Sequence, residues 1–219
     1  MTTVVITGGP DIDLETIASV CEGADRVICA DSGAQNALLA GIRIDKVVGD
    51  LDSLSDEAKA VLKEKNITVD IYPVEKDMTD TEIAIREIPT DHEIRLISSL
   101  SGRQDHLMTN ILLAVKLRGE GRDISVTDGI TDMIPMSGED SIFVDGIRYP
   151  EGLTVSLVPL DFTSPVKGVT TKGLYYELNG QDLLAGSSFS ISNKLKDGET
   201  SFGISIKSGN MAVIITPTR

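Results

Sequence analysis

The chain of 219 residues has no tryptophan, few other aromatics, two cysteines, two histidines and no long apolar run. Each scarcity excludes something. With aromatic residues at 4%, the core must rest on Val, Ile, Leu and Ala. Cys21 and Cys29 read as two reduced, buried thiols, and with only His92 and His106 to join them they do not suggest a structural zinc site. No segment approaches the roughly 18 apolar residues of a membrane span. Met1 to Ile6 lacks a basic region followed by an apolar stretch. Positive charge is also scarce: 20 Lys and Arg against 34 Asp and Glu give a formal net charge of -14. Such a surface repels nucleic acid and anionic membranes. The expectation is a cytoplasmic protein with no nucleic-acid or membrane partner.

What is present falls into two halves. The first alternates strand and helix signals. Short apolar strands are expected at Val4–Thr7, Val27–Ala30, Lys46–Val48, Ile67–Tyr72, Ile94–Ile97 and Ile124–Val126. Helices are expected from Asp13 to Val20, Ala34 to Ala40, Ser55 to Lys65, Thr79 to Glu87 and Arg103 to Leu117, with Asp13 and Thr79 as N-caps and Glu82 completing a capping box. This alternation implies an α/β domain with a mostly parallel sheet, over residues 1–130. After about Gly129 the helical period disappears. Turn signals such as Asp145-Gly146, Asn179-Gly180 and Asp197-Gly198 separate short candidate strands, among them Leu174–Glu177 and Ser188–Ser192. Residues 140–219 therefore read as an all-β sandwich.

Three acidic runs follow expected strand ends: Gly49-Asp50-Leu51-Asp52-Ser53, Lys76-Asp77-Met78-Thr79-Asp80 and Gly102-Arg103-Gln104-Asp105-His106. In open α/β sheets ligands bind beyond those ends. Gathered carboxylates repel unless a cation joins them, and Mg²⁺ takes one or two carboxylates plus substrate phosphates. Asp50 and Asp52, two apart in extended backbone, project to one face; a solvated turn capping the following helix is the plainer reading of that pair alone. Lys76 beside carboxylates fits a phosphate contact. Arg103, where a long helix opens, favours an anion, whereas Asp105 suits an amino-bearing acceptor. His106 reads as a surface or half-buried residue.

Together these runs resemble the thiamine pyrophosphokinase family. The resemblance rests on Ala30-Asp31-Ser32-Gly33-Ala34, the three runs extended to Glu82, Asn110, and Ser192-Asn193 in the second half. It implies a nucleotide-binding α/β domain followed by a β-sandwich that binds thiamine and forms a homodimer. The implied reaction is transfer of the ATP pyrophosphoryl group to thiamine, giving thiamine diphosphate and AMP. By motif, Asp31, Asp50, Asp52 and Asp80 would hold Mg²⁺, and Asp50, Asp52, Asp77 and Asp80 would form the catalytic set. Asp31, Ser32, Lys76, Thr79, Gly102 and Arg103 would lie by the ATP, and Asp105, Ser192 and Asn193 by thiamine. The chain departs from the family where some members stack an aromatic on thiamine, because Lys194 and Leu195 follow the Ser-Asn pair. The rival readings are a pyrophosphokinase with another acceptor, such as a hydroxymethylpterin, and a non-enzymatic nucleotide-binding protein.

Overall fold

A computed structural model describes residues 1–9, 12–73, 75–100 and 103–218. The chain folds as two units: Met1–Leu113 with Arg122–Gly129, and Ala114–Gly121 with Ile130–Arg219.

The first unit is built on six parallel strands: β1 (Thr2–Ile6), β2 (Arg26–Ala30), β3 (Lys46–Gly49), β4 (Thr68–Ile71), β5 (Glu93–Ile97) and β6 (Ile124–Thr127), in the order β6-β5-β1-β2-β3-β4. The short apolar runs give these strands, and their near-complete burial is what a parallel sheet covered on both faces demands. Strand order reverses around β1, so the chain crosses from one half of the sheet to the other there. Helices α1 (Leu14–Cys21), α2 (Gly33–Leu39) and α3 (Asp56–Glu64) supply Ile17, Ala34, Ala37, Ala58 and Leu62 to one core, which also holds Val4 and Ile6 of β1. Helix α4 (Asp80–Arg86) packs over β1, β2 and β3 with Ile83, Ala84 and Ile85 buried. Helix α5 (Gln104–Gly119) is the longest.

Caps account for the helix starts. Asp13 accepts the Thr16 amide at 3.0 Å, Ser55 that of Ala58 at 3.1 Å, and Thr79 that of Glu82 at 3.2 Å. The capping box is only half formed. The Glu82 carboxylate pairs with Arg86 at 2.7 Å, one turn along α4, because a guanidinium offers a stronger partner than the Thr79 amide.

The second unit contains two four-stranded antiparallel sheets. One has the order β7 (Asp132–Ser137), β14 (Asn210–Pro217), β9 (Leu153–Pro159), β12 (Asn193–Lys194); the other runs β11 (Asn179–Leu183), β10 (Val166–Lys172), β13 (Ser201–Ile206), β8 (Asp140–Asp145). Both sheets feed one core: Val155, Leu157, Met211 and Val213 from the first, Val166, Val169, Phe202 and Ile204 from the second. The α/β unit followed by a β-sandwich matches the expected fold class.

Local expectations differ in three places. Leu174–Glu177 is not a strand; it contributes a single bridge from Leu174 to Leu195. Asn179-Gly180 opens β11 instead of closing a hairpin, and β11 meets β10 through register shifts. Strand β12 lies at Asn193–Lys194, not at Ser188–Ser192. Strands β11 and β12 lie at sheet edges and are largely exposed, so they lack the apolar alternation that marks a buried strand. Strand β7, with Pro135 inside it, lies between the two expected domain spans.

Candidate active site

A cleft of about 560 Å³ opens beyond the carboxyl ends of the first unit's strands. Every strand from β1 to β5 contributes to it through the residues that follow: Thr7 and Gly8, Asp31 and Ser32, Asp50, the Lys76–Thr81 segment, and Ser98 and Ser99. Arg103, His106 and Asn110 complete its lining at the start of α5.

The acidic cluster is placed by backbone. Asp31 has φ 47, a left-handed conformation that non-glycine residues rarely adopt, and its amide donates to the Val48 carbonyl at 2.9 Å. Gly49 permits this approach: at φ 148, a Cβ there would stand 3.2 Å from the Asp31 Cα. Leu51 also has positive φ, 62, which folds the loop so that the Asp52 amide donates to Asp50 Oδ1 at 3.0 Å. The Asp52 amide, with help from the charge of Lys76, holds the Asp50 carboxyl below the usual carboxylate range. Gly33 has a different constraint. A Cβ there would lie 2.1 Å from the Ile6 carbonyl oxygen, so only glycine lets α2 start against the end of β1.

Asp31, Asp50 and Asp52 each offer an oxygen within 4.8 Å of the others. Among the described residues none of the three has an ion-pair partner, and Asp31 Oδ1 is buried with no hydrogen-bond partner. Three carboxylates so close, with one buried oxygen unsatisfied, suit a hard divalent cation. The donor set therefore fits a hard divalent cation such as Mg²⁺.

Asp80 lies outside this group. Its carboxylate pairs with Lys76 at 3.1 Å, and Lys76 also donates to the Pro73 carbonyl at 3.0 Å, which fixes the ammonium at the cleft. Asp77 lines the cleft and is exposed. The Thr79 hydroxyl caps α4, and Ser32, in the capping position of α2, makes no side-chain cap bond. Arg103 grips Asp105 at 2.5 Å, and this pairing holds the Asp105 carboxyl down at about 2. Arg103 lines the cleft and Asp105 does not. Gly102 falls outside the described residues.

Ser192 and Asn193 belong to the second unit. Ser192 takes φ 61, and its amide donates to Ser156 Oγ at 3.0 Å. The Asn193 side chain accepts from the Tyr176 amide at 3.1 Å and donates to the Tyr176 carbonyl at 2.8 Å. It thereby holds an exposed aromatic pair, Tyr175 and Tyr176, packed edge-on at 4.9 Å between ring centroids, with the Lys194 ammonium 4.8 Å above Tyr175.

Sequence reasoning passed over Thr7, Ser98, Ser99 and His106 as cleft residues. Ser98 and Ser99 carry a usable signal, because they lie just past an apolar strand, where the strand-end rule expects ligand contacts, and Thr7 ends another. Asn110 is buried and donates to Ser98 Oγ at 3.0 Å, tying α5 to the end of β5.

Fold and cleft define a two-unit protein of the α/β-plus-β-sandwich class, with an open cleft beyond the ends of parallel strands. Comparison with known proteins is specific. The family model described as "Thiamin pyrophosphokinase, catalytic domain" matches residues 17–126, and "Thiamin pyrophosphokinase, vitamin B1 binding domain" matches residues 140–211. The thiamine pyrophosphokinase of Bacillus subtilis (strain 168) is 27% identical over 196 residues, covering 87% of this chain and 88% of that protein. Among solved structures, the thiamin pyrophosphokinase of Geobacillus thermodenitrificans aligns with a TM-score of 0.82 and 29% identity, over 100% of this chain and 98% of the other. The Bacillus subtilis structure shares the fold at a TM-score of 0.86 and 22% identity, over 100% of both chains. The chain belongs to the thiamin pyrophosphokinase family.

Proposed function

We propose that the protein transfers the pyrophosphoryl group of ATP to the hydroxyl of thiamine, yielding thiamine diphosphate and AMP. The observation that carries the reading is the trio Asp31, Asp50 and Asp52, each with an oxygen within 4.8 Å of the others, in a chain that both thiamin pyrophosphokinase models match. The thiamine oxygen would form a bond to the β-phosphorus, the bond from that phosphorus to the α,β-bridging oxygen would break, and AMP would leave with the electron pair. Catalysis of such transfers is mostly positioning and electrostatics.

Asp31, Asp50 and Asp52 would hold Mg²⁺, which when bound supplies positive charge to the polyphosphate. Lys76, fixed by Asp80 and the Pro73 carbonyl, reaches the phosphates as a point charge. Arg103 would add a guanidinium from the residues that open α5, and Ser32 and Thr79, which line the same cleft, would border the same phosphates. Asp77, with no ion pair among the described residues, is the carboxylate free to take the hydroxyl proton. Asp105 and Ser192 are assigned to the thiamine side, and Asn193 acts there by holding Tyr176. The reading includes a homodimer, on family resemblance, and a place in the cytoplasm, as expected from the sequence.

The test is AMP release from ATP and Mg²⁺ with thiamine, compared with a hydroxymethylpterin. AMP and thiamine diphosphate in equal amounts are expected with thiamine alone. AMP formed only with the pterin would overturn the acceptor, and nucleotide binding without AMP would overturn the reaction.

A further inference from the structure

Ser53 closes the loop that carries Asp50 and Asp52. Its hydroxyl donates to Asp31 Oδ2, and the Ser53 Oγ also lies 3.2 Å from Asp52 Oδ1. A hydroxyl has a single proton, so it can serve only one of two carboxylates, yet it stands between both. The Asp50–Asp52 spacing is set by backbone, through the left-handed Leu51 and the Asp52 amide. Asp31 comes from a different strand end. Among the described residues, the side-chain bond that ties it to the Asp50–Asp52 loop is that of Ser53, and no lysine or arginine pairs with the three carboxylates.

We propose that Ser53 is a positioning residue that ties Asp31 to the loop carrying Asp50 and Asp52, and so sets the affinity of the three carboxylates for a divalent cation. Without the hydroxyl, repulsion drives Asp31 away from the loop's carboxylates, and the arriving cation must gather them. Outer residues that orient ligands in this way change metal affinity by about 10- to 100-fold when removed. The proposal rests on the metal–phosphate reading above but not on the identity of the acceptor.

The experiment titrates Mn²⁺ into the full chain by electron paramagnetic resonance, comparing the parent protein with Ser53→Ala and Ser53→Thr. Ser53 is exposed, and melting temperatures report whether each variant folds. Ser53→Ala is expected to weaken Mn²⁺ binding by about tenfold or more, with Ser53→Thr restoring it because the hydroxyl remains. In turnover, the Mg²⁺ midpoint should shift in the same way for Ser53→Ala while the thiamine KM stays put. Equal Mn²⁺ affinity in Ser53→Ala and parent, equal weakening in both variants, or no Mn²⁺ binding by the parent would each overturn the proposal. Ser53-dependent Mn²⁺ binding in a protein that makes no AMP with thiamine would strike the acceptor reading and leave this proposal standing.

Discussion

The amino end of the parallel sheet pairs its acids, whereas the carboxyl end pairs Asp80 and Asp105 but leaves a group of three without a cationic partner. Toward the amino end, acids beside the strands find partners. Asp25 accepts the Thr2 amide at 2.7 Å. Asp45 accepts the Val27 amide at 2.8 Å and pairs with Arg43. Lys46 sits between Asp70 at 2.5 Å and Glu87 at 2.7 Å, and Glu93 pairs with Arg95 at 2.8 Å. At the carboxyl end Asp31, Asp50 and Asp52 crowd together, and among the described residues no lysine or arginine pairs with them. Acidic residues alone therefore say little about function. What distinguishes the site is that three carboxylates crowd together without an ion-pair partner among the described residues, a state that structure alone would select against.

The contrast can be broken most sharply at the carboxyl end. Asp50→Asn and Asp52→Asn should each reduce turnover about a hundredfold, the scale of one strong electrostatic contact, while the melting temperature holds or rises because repulsion is relieved. AMP release and a thermal melt on the same samples check both halves, and near-normal turnover in both variants would remove the cluster from catalysis.

Lys46→Met should do the reverse. It strands Asp70 and Glu87 without their cation, and stability should fall by about 2 kcal/mol in urea titration. Activity per folded molecule should persist, since Lys46 is not in the cleft lining.

Glu93→Gln has a smaller, pH-dependent effect. Burial pushes the Glu93 carboxyl up, but its bonds to Arg95 and Thr2 prevail and hold it below the ordinary range. The contribution of Glu93 is thus complete above the ordinary glutamate value of about 4.3 and is lost as pH falls through the depressed folded value. Glu93→Gln should flatten the acid limb of the stability curve below about pH 4.3 and cost under about 1 kcal/mol at neutral pH, because the pair is partly solvated.

Asp105→Asn should move the melting temperature least, since both partners of its ion pair are exposed. If Asp105 meets the acceptor, the thiamine KM should rise with kcat retained. An unchanged KM would restrict Asp105 to holding Arg103.

Why these features were or were not legible in the sequence follows from local physics. Buried parallel strands must be short apolar runs, and ligands collect where those runs end, so β1 to β6 and the Asp50 and Lys76 loops could be read directly. The edge segments could not. Asn179-Gly180-Gln181-Asp182 is polar on both faces, and nothing in its composition separates a sheet-edge strand from a turn. Nor could composition reveal that the Asn193 amide is engaged by Tyr176, or that Asp80 is held by Lys76, since both depend on distances across loops. The resemblance located these residues, and the geometry gives the side-chain partners that Asn193 and Asp80 have.

The left-handed backbone at Asp31 has a practical consequence. Such a conformation costs an L-residue about 1–2 kcal/mol that glycine would not incur. A library selected purely for heat resistance should therefore enrich Asp31→Gly, a variant that folds more firmly and has lost a carboxylate from the site. Stability selection read in this way becomes a detector: the positions where sturdier molecules are inert mark where the fold has been bent to serve its chemistry.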